Sequence, residues 1–425
     1  MANCAVVGIN WGDEGKGRMV DLLTEAYDVV VRYQGGGNAG HTVVNAYGKF
    51  ALHLLPSGIF RPQVINVLGN GVAVDPQNLW EEIETLAARG VEVTERNLKI
   101  SDRASLLLPW HRMLDELEEA RLADKKYGST RQGIAPFYAD KFQKKTVLAG
   151  ELFYPDELRS HLADLLEWKN LILTRVYGAE PVTMEQIDCW IERYANKIRP
   201  FVTDTGGLLR EAQAEGKRIL FEAQLGSLRD LDFGIFPYTT SSNTTASYAP
   251  VGSGCPSVRI DEVLGVVKAY STCVGEGPFT CEWFGEEAEA LRAAGNEYGA
   301  KTGRPRRVGP LDLVATKYGV RLQAATALAL TKLDVLSYMD VVPVCTRYRI
   351  GGEETDAFPF PAALPAASPV YETLPGWKTD LSGCRTWEDL PQEARAYVSF
   401  VERNLECPIR YVSVGPERDS IIIRE

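Results

Sequence analysis

Two carboxylates beside a lysine, inside a glycine-rich run, mark the first place in this sequence where chemistry could happen. The run is Gly8-Ile9-Asn10-Trp11-Gly12-Asp13-Glu14-Gly15-Lys16-Gly17-Arg18, and it links a short apolar segment to a predicted helix. Glycines there let backbone N–H groups approach an anion, and a helix N-terminus favours negative charge. Lys16 adds a point charge. The run is not a Walker A loop, which would need glycine where Asn10 stands and serine or threonine where Gly17 stands. A tight strand-to-helix turn with ordinary surface charges is the plain alternative. Against it stands the Asp13-Glu14 pair, because a carboxylate among phosphate-cradling amides is costly unless it holds Mg2+ or moves a proton.

Four more segments could contribute. Gln34-Gly35-Gly36-Gly37-Asn38-Ala39-Gly40-His41-Thr42 places one of only four histidines in a predicted glycine-rich loop, where it could serve as an acid or a transition-state donor. Thr331-Lys332-Leu333-Asp334 has the form of a guanine-reading element. Its aspartate could accept from N1–H and the 2-amino group, and the lysine stem could lie along the ring. Four residues alone are a weak signal; with two glycine-rich loops they favour GTP over ATP. Tyr298 to Arg307 carries Lys301, Arg304, Arg306 and Arg307, which suit phosphate or carboxylate if they are not simply a solvated loop. Thr239 to Thr245 offers hydroxyls and an amide for a phosphate or sugar, or forms a polar turn.

The elements that must position these residues alternate. Strands are expected at Ala5–Ile9, Asp28–Tyr33, Val64–Leu68, Leu98–Ile100, Ile219–Glu222, Val263–Tyr270 and Ala327–Leu330, with helices at Gly17–Ala26, Leu79–Arg89, Trp110–Leu122 and Asp204–Glu215. That pattern predicts a large, mostly parallel sheet flanked by helices. Asp356 to Pro375, rich in Pro and Ala, reads as an irregular surface excursion. With 425 residues, 45% hydrophobic and 24% charged, the chain can form a large core without disulfides or metal staples. A net charge of -11 argues against general nucleic-acid binding but leaves room for a basic nucleotide pocket. No apolar run is long enough to cross a bilayer. The N-terminal residues lack a basic leader, and the eight cysteines are scattered, so a reduced cytoplasm is expected.

Taken in order, the segments resemble the adenylosuccinate synthetase family over nearly the whole chain. Its hallmarks WGDEGKG, NAGHT, TSSNTT, VGEGPF, TGRxRR, TKLDVL and SxGPxR all have counterparts, the last at Ser413-Val414-Gly415-Pro416-Glu417-Arg418. The resemblance implies one domain spanning 1–425 with a P-loop-NTPase-like GTP-binding core. Smaller inserted subdomains, one of them helical at roughly 104–215, and a homodimer are also implied. It further implies a Mg2+-dependent reaction of GTP, IMP and L-aspartate through 6-phosphoryl-IMP. Asp13, His41 and Lys16 would be catalytic, and Asp13 with the Gly40 carbonyl would hold the metal. Gly12, Glu14, Gly15, Lys16, Gly17, Gly40, Thr42, Arg306, Lys332, Asp334, Ser413 and Gly415 would bind GTP. Asn38, Thr130, Lys144, Gln224 and Thr240 would take the acceptor nucleotide. Val274, Lys301, Thr302 and Arg304 would take aspartate.

The departures from the family pattern fall on the acceptor and aspartate side. Arg131 stands at a family glycine, Gln132 at the arginine that directly follows it, and Lys144 at an arginine that in the family reaches the partner subunit's nucleotide. Leu225, not Gln224, aligns without gaps with a glutamine near the purine, and Lys301 replaces a threonine. The GTP side is intact. Three readings stay open: the ordinary enzyme, a paralogue with another acceptor or amine, and a GTP-binding protein without turnover. Retention of both Asp13 and His41 argues against the last. Arg131 and Lys301 would add positive charge for an acceptor carrying more negative charge.

Overall fold

The computed structural model describes residues 2–424 except 46, 47, 299–302 and 304. Short runs of Val, Ile, Leu and Ala, buried on both faces, give a ten-stranded sheet. Across the sheet the strands run Ile421–Ile423, Ile409–Ser413, Ala327–Thr331, Glu262–Lys268, Cys4–Gly8, Ile219–Glu222, Val29–Arg32, Ile65–Leu68, Leu98–Ser101 and Val202–Thr203. Every neighbouring pair is parallel except the last two strands of the chain, which pair antiparallel. The expected strands are present to within two residues at each end.

Alternation along the first strand shows why helices cover both faces. Ala5 and Val7 point into one core with Phe221 and Val267. Cys4 and Val6 point into the other with Met19 and Val20 of the helix Lys16–Leu23. A separate core lies under the helices Pro109–Leu122, Pro155–Leu171 and Met184–Trp190. The chain then returns to the sheet at Val202–Thr203.

Two expectations are corrected. Asp356 to Pro375 is not wholly irregular: Ser368–Pro375 is a strand paired antiparallel with Val341–Ile350. It is mostly exposed and holds prolines at 369 and 375, so it shows neither the apolar run nor the alternation that marks a strand. His41 does not lie within a loop; it begins the strand His41–Asn45, which forms a hairpin with Gly48–Leu52.

The parallel strands aim their C-terminal ends at one edge. Gly8, Arg32, Glu222, Lys268, Thr331 and Ser413 all end strands there, and the glycine-rich, guanine-type and C-terminal segments follow directly. Ligands of open parallel sheets bind outside this edge. The edge rests on the packed core beneath it. Leu264 is fully buried against the Lys16–Leu23 helix. Leu264→Ala should lower stability in urea unfolding by about 2–5 kcal/mol, without weakening nucleotide binding by the folded fraction.

Candidate active site

The loop after the first strand folds around its own carboxylate. Glu14 is buried, and its Oε1 accepts the N–H groups of Asn10 at 3.1 Å and Gly12 at 2.8 Å, while Oε2 lies 2.6 Å from Lys16 Nζ. Gly12, Asp13 and Gly15 all adopt positive φ (106°, 60° and 102°). Asp13 is the strained member, since a side chain in that region is disfavoured and such positions concentrate at functional sites. The turn sends its carboxylate the other way, 31% exposed, with Oδ2 3.2 Å from Arg306 Nη2. Gly17, which breaks the Walker pattern, has a clear physical reason. A Cβ there would lie 2.8 Å from His41 Cβ, so only glycine lets the second segment close on the helix start.

His41 Nε2 lies 3.1 Å from Glu222 Oε1 and 3.4 Å from Arg32 Nη1. Burial, with the nearby charges of Arg32 and Lys16, pushes the imidazole well below its usual range, so it is neutral near pH 7. Glu222 also accepts from the Ser57 N–H and Oγ, both at 2.8 Å. Burial pushes its carboxyl up, against Arg32 and the Ser57 hydrogen bonds. The glycine run before His41 is held by Gln224. Its Oε1 accepts from Gly36 N–H at 2.8 Å, and its Nε2 donates to the carbonyls of Gly36 (2.8 Å) and Ala39 (3.1 Å). Gln34 donates to the Gln224 carbonyl and accepts from Ser242 Oγ at 3.0 Å, joining the Thr239–Thr245 segment to this loop. Asn38 Oδ1 and Thr240 Oγ1 are buried without a hydrogen-bond partner. Buried polar atoms are ordinarily paired, so both oxygens retain capacity for a hydrogen bond.

At the far end, Lys332 is left-handed (φ 60°) and its Nζ donates to the Gly295 carbonyl at 2.6 Å and to Glu297 at 3.1 Å. Burial pushes the Asp334 carboxyl up, opposed by its own backbone N–H, Lys332 and Arg18. Asp334, Ser337, Tyr338, Lys378, Asp380 and Gly415 line a cavity of about 410 Å³. Its position beside the strand end after Thr331 suits a purine base. Arg18 Nη1 donates to Ser413 Oγ (2.6 Å) and to the Gly415 carbonyl (2.7 Å), and Thr331 Oγ1 donates to the Glu14 carbonyl (2.7 Å). The first loop, the guanine-type strand end and the C-terminal segment are therefore stitched together.

On the acceptor and aspartate side the placements are looser. Thr130 is exposed, as is Lys144, the left-handed cap of the helix Ile134–Gln143. Val274 is exposed and its carbonyl accepts from Arg229 Nη2 at 2.5 Å. Lys301, Thr302 and Arg304, and the side chain of Thr42, lie outside the described residues. Arg18, Glu222, Lys268 and Glu297 take part in the site without having been singled out from sequence. Arg32, Glu222 and Lys268 each close an apolar strand with a charge, and that sequence signal could have found them.

Comparison with known proteins finds relatives of the whole chain. The family model described as adenylosuccinate synthetase matches residues 5–422. An adenylosuccinate synthetase of Halothermothrix orenii is 47% identical over 426 residues, covering 100% of this chain and 99% of its own. Adenylosuccinate synthetase 2 of Pseudoalteromonas translucida is 48% identical, covering 100% of both chains. Among solved structures, the fully ligated adenylosuccinate synthetase of Plasmodium falciparum superposes with a TM-score of 0.94 at 33% identity over the whole of both chains. A cyanophage S-2L succinoaminodeoxyadenylate synthetase bound to dGMP and dATP shares the fold, with a TM-score of 0.64 at 18% identity over 100% of this chain and 95% of its own. With the family model spanning almost the entire sequence and relatives near half identity, the chain belongs to the adenylosuccinate synthetase family.

Proposed function

We propose how this chain, a GTP-dependent carbon–nitrogen ligase, divides its reaction among its residues. GTP transfers its γ-phosphoryl group to O6 of IMP, giving 6-phosphoryl-IMP and GDP. The amine of L-aspartate then attacks C6 and displaces phosphate, giving adenylosuccinate. The observation that carries the reading is the opposed placement of the two loop carboxylates: Glu14 turned inward onto amides, Asp13 turned outward in a strained backbone.

Asp13 would take the N1 proton of the purine, raising the nucleophilicity of O6. His41, neutral, would donate a hydrogen bond to the phosphoryl group in transit and the departing β-phosphate. Lys16 and the amides at Gly15 and Gly17 would hold phosphates, with Gly12, Gly40, Thr42 and Arg306 at their margin. Glu14 would serve GTP through the loop that it folds. Lys332 and Asp334 would read guanine, beneath Ser413 and Gly415. The donors left for a divalent cation, the Asp13 carboxylate and the Gly40 carbonyl, are hard oxygens, which fit Mg2+ completed by phosphates and water. When bound, Mg2+ would neutralise charge on the transferring phosphoryl group.

Asn38 and Thr240, whose buried oxygens lack partners, would meet the acceptor nucleotide together with Thr130 and the Gln224 loop. Val274, Lys301, Thr302 and Arg304 would hold the aspartate carboxylates. A homodimer suits Lys144, which stands exposed where the family's arginine reaches the partner's nucleotide. A cytoplasmic setting suits eight cysteines that are all free, and among the described residues no helix is long and apolar enough to cross a membrane.

The direct test is phosphate release with GTP, Mg2+, IMP and L-aspartate, each omitted in turn, with the product identified by mass. Release should need all four and yield adenylosuccinate. Release without aspartate dependence, or a product of another mass, would overturn the assignment. Asp13→Asn should reduce kcat by about 10³-fold, while GDP affinity measured by calorimetry without Mg2+ stays within about threefold. His41 gives a second prediction. A histidine whose folded pKa is lowered stays neutral where the unfolded ring, near 6.5, already binds a proton. In a ring-labelled sample, with the His41 signal assigned through His41→Asn, NMR should show this imidazole still neutral at pH 6. A midpoint near 6.5 would contradict the buried, cation-flanked environment.

A further inference from the structure

One buried carboxylate in the site touches three cations that come from three different segments. Glu297 is fully buried, just past the helix Gly285–Gly295. Its Oε1 lies 2.9 Å from Lys268 Nζ and 3.1 Å from Lys332 Nζ, and its Oε2 lies 2.6 Å from Arg306 Nη1. Tyr270 Oη also donates to it. Burial alone would push this carboxyl up, yet Lys268, Lys332 and Arg306 together hold it far below the usual carboxylate range.

The backbone fixes Glu297 as firmly as its side chain does. Its N–H donates to the Arg292 carbonyl and its carbonyl accepts from the Arg306 N–H, each at 2.9 Å. A bridge between Tyr298 and Pro305 follows. Residues 297 and 306 are thus paired on either side of the segment 299–304. Packing leaves little freedom, since a Cβ at Gly295 would sit 2.4 Å from Tyr270 Oη and 3.1 Å from Glu297 Cγ.

Resting on the functional reading above, we infer that Glu297 is a positioning residue that couples guanine recognition to phosphoryl transfer. One continuous path runs from Asp13 Oδ2 through Arg306 (3.2 Å), Glu297 (2.6 Å) and Lys332 (3.1 Å), two residues before Asp334. Arg306 is shared between Glu297 and Asp13. Glu297 keeps the guanidinium at the edge of the site, so that Asp13 can release it when substrates arrive without losing it to solvent. The same carboxylate, with the Gly295 carbonyl, fixes Lys332 Nζ and hence the line of the lysine stem. Without Glu297, Arg306 is free to close wholly on Asp13 and Lys332 loses its anchor. Guanine binding and chemistry then fail together. A merely structural carboxylate would leave both intact in folded protein.

The test uses the full chain and three variants. Glu297→Gln takes the carboxylate away from Lys268 and Lys332, leaves Arg306 with Asp13 alone, and should lower the Tm; Lys268→Met/Glu297→Gln removes one charge of each sign and so keeps the wild-type net charge. Glu297→Asp keeps the charge but is one methylene shorter, so it cannot span both Arg306 and Lys332. Expected is a kcat reduced at least tenfold and a KM for GTP raised at least tenfold in all three. In the double variant the Tm should recover while kinetics and GDP affinity do not. Wild-type kcat and GDP affinity in any folded single variant, or their return together with the Tm in the double variant, would overturn the inference. Calorimetry with GDP needs neither acceptor nor turnover. If the wild type fails to convert IMP and aspartate, the functional reading fails by itself, and a GDP affinity at least tenfold weaker in the variants still supports the coupling while an unchanged one sinks it.

Discussion

The rest of the site depends on where one carboxylate lies. Glu14 is turned into the loop that carries it, taking up two amides and the charge of Lys16. A glycine-rich loop has many accessible backbones, and an anion held inside it selects one. In that one, Gly12 and Gly15 are left-handed, Asp13 is forced left-handed between them, and its carboxylate is delivered to the opposite side. The Glu14 carbonyl is then in place to accept from Thr331, which registers the guanine-type segment against the first loop. Gly17 completes the arrangement by letting His41 approach the helix start. Loss of the Glu14 carboxylate would leave buried amides and a buried lysine without a partner, the expensive direction of that exchange.

Charge is therefore built into the sheet edge before any ligand binds. Arg32 and Glu222 are direct register partners on adjacent strands, and His41 sits beside both. Lys268 and Thr331 are register partners as well, and Glu297 lies against that lysine. Burying such groups is unfavourable unless each finds partners. On the proposed reading these pairings would aim donors at the transferring phosphoryl group and leave little reorganisation for the reaction itself.

What could be read from the sequence follows from this. The parallel sheet was legible, and segments whose pattern is local, such as Asp13-Glu14 within glycines or Thr331-Lys332-Leu333-Asp334 after an apolar run, stood out as candidates. Contacts assembled across the chain did not. Glu297 looks like a surface residue after a helix until Lys268, Lys332 and Arg306 are seen to converge on it. Glu222 reads as a strand end until Ser57 and His41 arrive. The Ser368–Pro375 strand was missed for a different reason: with both faces largely exposed and prolines at its ends, nothing in its composition demanded pairing.

Gln224 shows how a one-residue difference redistributes work without dismantling a site. By resemblance, a glutamine is expected one position later, near the purine. Here Leu225 holds that position, left-handed at φ 61°, with its Cα where a Cβ on Gly12 would come within 3.2 Å. The amide has moved back along the strand exit, and there it grips Gly36 through both its N–H and its carbonyl, as a neighbouring strand would. Two of its bonds are to the same glycine, so the loop cannot rotate about that contact without breaking both. The third, to the Ala39 carbonyl, lies two residues from His41. An amide in the family position would act on the ligand; in this position it acts on the backbone that presents Asn38, Gly40 and His41. Gln224 thus stiffens the glycine-rich run before His41, and Asn38 Oδ1 and Thr240 Oγ1 are left as buried oxygens without partners among the acceptor candidates.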